Sequence, residues 1–336
     1  MSITATRELV DRSIIDFLWR QWIQLGVSGD EGPLDRWAID PEALLAITLR
    51  IGGRDPRLFD EILDWLVVNG RTVSVQRLAN ITKEDEASRI LADAALAWAG
   101  SHNPALHGWR RRNGARPASP ITPGSIRVGR PDPILAEFGV RWPKVEPSGK
   151  SHAPDTSLPA AFAFRLRALF GVGTRSEIVR FFLTTREGNV TAQRVAEVSG
   201  FAKRNVHETL AALSEAGPLL MDRRGNELVY SLHLSGWADV LDVRYDDPLL
   251  GFPEFLDWTA LARVLVRLMV WLDSSTELSP YLQASGAREL VLQNEPQLAR
   301  LGVSPERRTV RGEAYWPVFE STVDRLILRL EPPIQR

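Results

Sequence analysis

The chain has 336 residues, enough for two or three domains that each bury a core. It is 44% hydrophobic and 25% charged, as is usual for a soluble globular protein. It contains no cysteine, which excludes disulfides, thiolate metal sites and a cysteine nucleophile. We expect a cytoplasmic protein, because the N-terminus has no signal-peptide pattern and no segment approaches the about 18 apolar residues of a membrane span.

Residues 1–109 predict a helical domain. An apolar stripe from Val10 to Leu25 follows helical spacing. Asp40-Pro41 and Asp55-Pro56 each place a capping aspartate before a proline at the first helical position. The helices predicted after the first are Glu42–Ile51, Arg57–Val68 and Glu84–Ala99.

Residues 110–158 predict a proline-rich basic linker or an irregular segment, because so many prolines cannot sustain long helices. Basic side chains outnumber acidic ones here, whereas acidic ones dominate residues 1–100 and 235–336. A solvated tether and a basic strand lying along DNA both remain open. An apolar group between Ile134 and Trp142 indicates that part of the segment packs.

Residues 159–240 predict a third unit. Thr174, with Glu177 three residues later, suggests a capping box at the start of its first long helix. Thr191 is placed to cap a short helix over Ala192–Val198, and Gly200 tolerates the positive φ of a tight turn. A second helix over Lys203–Glu215 returns apolar side chains to the shared core.

Two strand-like runs follow that helix, Leu219–Asp222 and Glu227–Leu232, and they flank Arg223-Arg224-Gly225-Asn226. Gly225-Asn226 is suited to a tight hairpin turn. The predicted order is therefore helix, short helix, turn, helix and hairpin.

This order resembles the winged helix-turn-helix of bacterial ArsR- and MarR-like regulators, over residues 174–234 only. The resemblance implies that the second helix of the turn enters a DNA major groove and that a homodimer binds a palindromic operator. The residues that would contact DNA are Thr191, Gln193, Lys203, Arg204, Asn205, His207, Arg223, Arg224 and Asn226.

An internal similarity suggests a second, degenerate winged helix near the N-terminus. Residues 73–81 match residues 190–198, including the pairs Gln76-Arg77 and Gln193-Arg194. Chance likeness of two short amphipathic helices is the alternative. In the first copy Lys83 replaces the turn glycine and the acid run Glu84–Glu86 opens the next helix. Three carboxylates there would repel phosphate, so we expect this copy to be structural or protein-binding.

Residues 241–336 predict a helical C-terminal domain. Its long apolar helices suit a dimer interface, a ligand pocket or an ordinary core. The predicted helices are Phe255–Asp273, Tyr281–Gln293 and Trp316–Leu330.

No motif for catalysis or for metal binding is found. None of the five histidines belongs to an HExxH pair, and the glycines at 171–173 lack the lysine of a phosphate-binding loop. We therefore expect no enzyme activity, no metal and no cofactor.

The sequence as a whole predicts a mainly α protein with a small β-wing. A winged helix-turn-helix is flanked by helical N- and C-terminal domains. The expected function is sequence-specific binding of double-stranded DNA in transcriptional regulation, as a homodimer, with a protein partner for the helical domains left open. Two alternatives remain: a tandem winged-helix scaffold for protein interactions, and an autoregulating antitoxin of a nucleotidyltransferase toxin pair.

Overall fold

The structure is a computed structural model that describes residues 2–30, 32–111, 117–124, 126–232, 234–243, 251–304 and 309–332. The chain is mainly helical and has one small antiparallel sheet of three strands in the described part. These findings confirm the mainly α class with a small β element. Within the same ranges, every helix is too short or too polar to span a bilayer.

Five helices form the N-terminal region, and local signals in the sequence set their starts. The Asp40 carboxylate accepts a hydrogen bond from the amide of Ala43 at 3.0 Å, and Asp55 caps the next helix in the same way. The last helix begins two residues later than predicted because Asp85 is its cap. The helices are α1 (Ile3–Gln24), α2 (Pro41–Ile51), α3 (Pro56–Asn69), α4 (Val75–Thr82) and α5 (Glu86–His102).

The proline-rich segment is irregular apart from a 3-10 helix at Pro104–Arg111 that leads into it and the short helix α6 (Pro133–Glu137). The side chains of Leu135, Phe138, Val140 and Trp142 are buried, and the indole of Trp142 donates a hydrogen bond to Asp60 at 2.7 Å. The solvated tether is therefore wrong for this part of the segment, because it packs into the core. Arg112 and Arg116, which belong to the basic run, lie outside the described residues.

The middle unit contains the sheet. Its strand order is β1-β3-β2, with both neighbours antiparallel to the central β3. The capping box predicted at Thr174 is wrong: the cap position is Gly173, no side chain caps the helix, and Glu177 is buried in an ionic cluster. The elements are α7 (Phe162–Phe170), α8 (Thr174–Thr184), β1 (Val190–Thr191), α9 (Ala192–Ser199), α10 (Lys203–Glu215), β2 (Leu219–Arg224), β3 (Glu227–Leu232) and α11 (Leu234–Val240).

The C-terminal region is helical, as predicted. Its first helix starts three residues later than expected, because the carboxylate of Asp257 accepts a hydrogen bond from the amide of Ala260 at 3.0 Å. The helices are α12 (Trp258–Ser274), α13 (Pro280–Gln293), α14 (Glu295–Arg300) and α15 (Trp316–Leu330).

Among the residues that the structure describes, the buried apolar side chains form two main clusters. The larger one combines the N-terminal helices, the proline-rich segment and the C-terminal helices, with Trp22, Trp142 and Phe319 in one continuous core. The smaller one lies between α7–α10 and the sheet. The predicted N- and C-terminal regions thus share a core, and α1 packs on both α12 and α15. The middle unit has a core of its own, held against this larger body.

Candidate nucleic-acid interface

The turn between α9 and α10 is set by Gly200, which has a φ of 69° in the left-handed region. Glycine adopts this conformation without the steric cost that a Cβ would add. After the turn, Val206, Leu210 and Leu213 bury one face of α10 against the smaller core. The opposite face of α10 is left at the protein surface.

The exposed face of α10 is basic and polar in its first turns. Lys203, Arg204 and His207 are exposed, and Asn205 is half-buried. Arg204 donates a hydrogen bond to Glu208 at 2.9 Å, and both side chains are largely in solvent. Such a pair is weak, so a phosphate or a base could replace the glutamate.

The amino end of α10 also has unoccupied backbone donors. Ala202 is at the cap position and no side chain accepts from the first-turn amides. These N–H groups and the helix dipole make this end attractive to anions. The four polar side chains predicted on α10 therefore surround an electropositive helix end.

The β2–β3 hairpin differs in detail from the prediction. Arg223 and Arg224 belong to β2 itself, and the turn consists of Gly225 and Asn226 only. Gly225 has a φ of 60°, as a two-residue turn with glycine first requires. Because successive strand residues point to opposite faces, the two exposed arginines lie on different sides of the hairpin.

The two site residues predicted at the start of α9, Thr191 and Gln193, already have partners within the protein. Thr191 caps the helix by accepting a hydrogen bond from the amide of Arg194 at 3.3 Å. The amide of Gln193 donates to Glu197 at 3.1 Å, although its side chain is exposed. The guanidinium of Arg194 binds Glu187 and Asp257, which leaves it engaged in structural contacts.

Sequence reasoning missed a groove beside the start of α10. It has a volume of about 610 Å³ and lies between α4, the α9–α10 turn, α12 and α14. Lys203 and Gln193 line it together with Lys83, Arg263 and Arg300. The internal similarity offered one signal for this groove, because it aligns Lys83 with the turn glycine Gly200. The contributions of α12 and α14 could not be predicted, since these helices are remote in sequence.

The acid run of the first copy is not the repulsive surface that the sequence predicted. Glu84 is bound by Arg263 at 2.7 Å and by Arg267 at 3.1 Å, both from α12. Asp85 caps α5 and pairs with Arg50 at 3.2 Å. Distant arginines thus neutralise two of the three carboxylates, which the local sequence could not reveal.

A buried ionic cluster fixes the middle unit against the N-terminal helices. Three arginines and three carboxylates alternate in it without water-exposed charge. Arg167 bridges Glu42 and Glu177, each at 2.7 Å, and Arg180 binds Glu177 at 2.9 Å. The members are Asp40, Glu42, Arg77, Arg167, Glu177 and Arg180.

The charges of this buried ionic cluster depend on one another. Burial alone would raise the pKa of Asp40, but the charge and hydrogen bonds of Arg77 outweigh it and lower that pKa. The pKa of Glu177 is likewise lowered, because Arg180, Arg77 and Arg167 outweigh its burial. Arg77 also donates to the carbonyl of Ser199, at the end of α9. The cluster therefore connects α2, α4, α7 and α8 to the turn that leads into α10.

Known proteins give no further guide to this surface. Comparison with family models, curated proteins and solved structures found no match to the chain. Among the residues that the structure describes, no group of three or more His, Cys, Asp or Glu is arranged to hold a metal ion. Function is therefore inferred from the α10 surface, the hairpin and the groove.

Proposed function

We propose that residues 174–232 act as a winged helix-turn-helix that binds double-stranded DNA, and that the protein is a cytoplasmic transcriptional regulator. The observation that carries the proposal is the start of α10. Lys203, Arg204 and His207 project into solvent beside backbone amides that no side chain caps. These groups match phosphates and the acceptor-rich edges of bases in a major groove.

The arrangement around α10 supports the same proposal. The hairpin carries exposed arginines at the far end of the same unit, where they can reach a backbone or a minor groove. Thr191 ends β1 and caps α9, and β1 pairs with β3 of the hairpin. This pairing holds the hairpin next to the helices. The residues expected to touch bases are Arg204 and Asn205, while Lys203, Arg223 and Arg224 are expected to contact phosphates.

The experiment that tests the proposal is selection of bound duplexes from random DNA by the full chain at defined salt. Enrichment of a common sequence supports sequence-specific binding. Absence of duplex binding even at low ionic strength would contradict it, because low salt favours weak electrostatic binders. Light scattering of the free protein and of its DNA complex tests the homodimer that the resemblance implies.

The protein-interaction scaffold is retained as a second candidate because of one observation. The hairpin exposes Leu220, Met221 and Leu228 with 46%, 54% and 41% of their surface accessible. Apolar side chains on a wing suit a protein partner better than a phosphate backbone. A hairpin variant that loses a protein partner and keeps full DNA affinity would favour this candidate for the wing alone.

A further inference from the structure

The groove beside α10 brings together charges from three separate parts of the chain. Lys83 follows α4, Lys203 begins α10, and Arg263 and Arg300 come from α12 and α14. Four lining side chains are cationic and one, Glu197, is acidic. Arg300 binds that carboxylate at 2.5 Å, so the acid is already neutralised.

Two of the cations are available to a ligand. Lys83 and Lys203 are both exposed, and the ammonium group of neither makes a hydrogen bond or an ion pair within the described part of the chain. Glu84, the acid next to Lys83, is held by Arg263 and Arg267. The electrostatic potential in the groove is therefore positive, although the residues that follow Lys83 in the sequence are acidic.

The two sides of the groove are fixed to each other. The side-chain amide of Asn80 donates a hydrogen bond to the backbone carbonyl of Gly200 at 3.1 Å, and the guanidinium of Arg77 donates one to the backbone carbonyl of Ser199. Both bonds join α4 to the α9–α10 turn. The backbone of Lys83 consequently keeps a set position relative to that of Lys203, so a ligand that spans both lysines has to order only their side chains.

We propose that this groove binds backbone phosphates of the duplex that α10 reads, so that the DNA interface extends beyond the winged-helix unit onto the α4–α5 turn and helices α12 and α14. The proposal rests on the proposed function of α10. Lysines placed this way neutralise phosphates and position a duplex without reading its bases. Free phosphate compounds have the same chemistry, and the experiment separates them from DNA.

The first test measures duplex affinity against salt concentration by fluorescence anisotropy of the full chain. Lys83→Gln is expected to weaken binding of all sequences alike and to reduce the salt slope by about one unit. Lys150→Gln is the matched control, because Lys150 is also exposed and lies outside the groove. A salt slope of Lys83→Gln equal to that of the unmodified chain would overturn the proposal.

The second test locates the DNA directly. Since the chain has no cysteine, Lys83→Cys accepts a single thiol-linked iron–EDTA group, which cleaves nearby DNA backbone. We expect cleavage beside the selected site from position 83 and none from Lys150→Cys. Absence of cleavage by the position 83 conjugate on duplex that it still binds would rule out a phosphate contact there.

The outcomes separate this proposal from the one it rests on. If the unmodified chain binds no duplex, the proposed function itself fails, and the groove proposal fails with it. If Lys83→Gln abolishes binding of inorganic pyrophosphate in calorimetry but leaves duplex binding unchanged, the ligand is a free phosphate compound and the DNA contact is refuted. If the chain binds duplex and the slope falls only for Lys83→Gln, both proposals are supported.

Discussion

Replacing Arg77 by methionine tests whether the buried ionic cluster holds the middle unit in place. Arg77 is fully buried and binds Asp40, Glu42 and the carbonyl of Ser199. Methionine fills much of the same space, so the cost comes mainly from the carboxylates left without a cation. Breaking a buried ion pair in this way typically costs about 3–5 kcal/mol. For a chain of this size we expect a fall in Tm of about 4–7 °C.

The pH dependence gives this prediction a second signature. The pKa values of Asp40 and Glu177 are lowered in the folded protein, so they contribute stability that is present above about pH 4 and lost as pH falls through their folded pKa values. Without Arg77 the pKa values of these carboxyls should rise. The loss of unfolding free energy caused by Arg77→Met should therefore become smaller as pH falls from 7 to 5, because one buried carboxyl of the variant then takes up a proton.

Denaturant titrations at several pH values measure the effect, and two further variants interpret it. Arg204→Met removes an arginine from an exposed pair and should leave the Tm nearly unchanged. Asp40→Asn retains a capping oxygen for α2, and combined with Arg77→Met it should cost less than the sum of the two. If the losses of unfolding free energy of the two single variants add up in the double variant, or if the loss in Arg77→Met does not depend on pH, the charges are not coupled.

Three other variants test the proposed DNA surface and its turn. Arg204→Ala should weaken binding of the selected sequence on the order of tenfold or more and leave the Tm unchanged; undiminished affinity in a mobility-shift titration would remove it from the base contacts. Replacing Arg223 and Arg224 together by alanine should lower affinity for all duplexes and the salt slope by up to about two units, whereas a changed sequence preference would mean that the hairpin reads bases. Gly200→Ala should cost about 1–2 kcal/mol of stability, because its backbone is left-handed. It should cost more than Gly217→Ala, because a Cβ at position 200 would lie 3.3 Å from the side chain of Ile81 on α4, whereas one at position 217 would meet no atom within 4 Å. Equal losses of stability in denaturant titrations would contradict a tight contact between the turn and α4.

Local signals explain why the elements around the turn could be predicted from the sequence. Thr191 caps α9, Gly200 ends it, and α10 spans the predicted Lys203–Glu215. Each of these signals acts within one helical turn, so no knowledge of the tertiary fold is needed. The hairpin was placed correctly for the same reason, apart from the two arginines that extend β2.

The charged contacts could not be predicted, because they join residues far apart in the chain. Arg167 and Glu42 are 125 positions apart, and Arg180 and Asp40 are 140 apart. On an amphipathic helix such residues resemble the solvent-facing side, and only the assembled fold shows that they are buried. The same limitation hid the pairing of Glu84 with α12.

The arginines of the two repeated Gln-Arg pairs, Arg77 and Arg194, have a shared structural role. Ser74 accepts from the amide of Arg77 and Thr191 from the amide of Arg194, both at 3.3 Å. Each arginine then extends its guanidinium to carboxylates of another element. The similarity thus preserves a way of anchoring a short helix.

Anchoring of this kind determines which surfaces can act together on one duplex. The middle unit has its own apolar core, so it could in principle rotate against the larger body. The buried ionic cluster and the two bonds from α4 to the carbonyls of Ser199 and Gly200 oppose such rotation. A unit held by paired buried charges moves only if those charges separate, which is costly in a low dielectric. If the chain binds DNA as proposed, Lys83 and Lys203 should approach it as one rigid surface. Arg77→Met should then weaken duplex binding in fluorescence anisotropy even though Arg77 is itself buried, and unchanged affinity would contradict this reasoning.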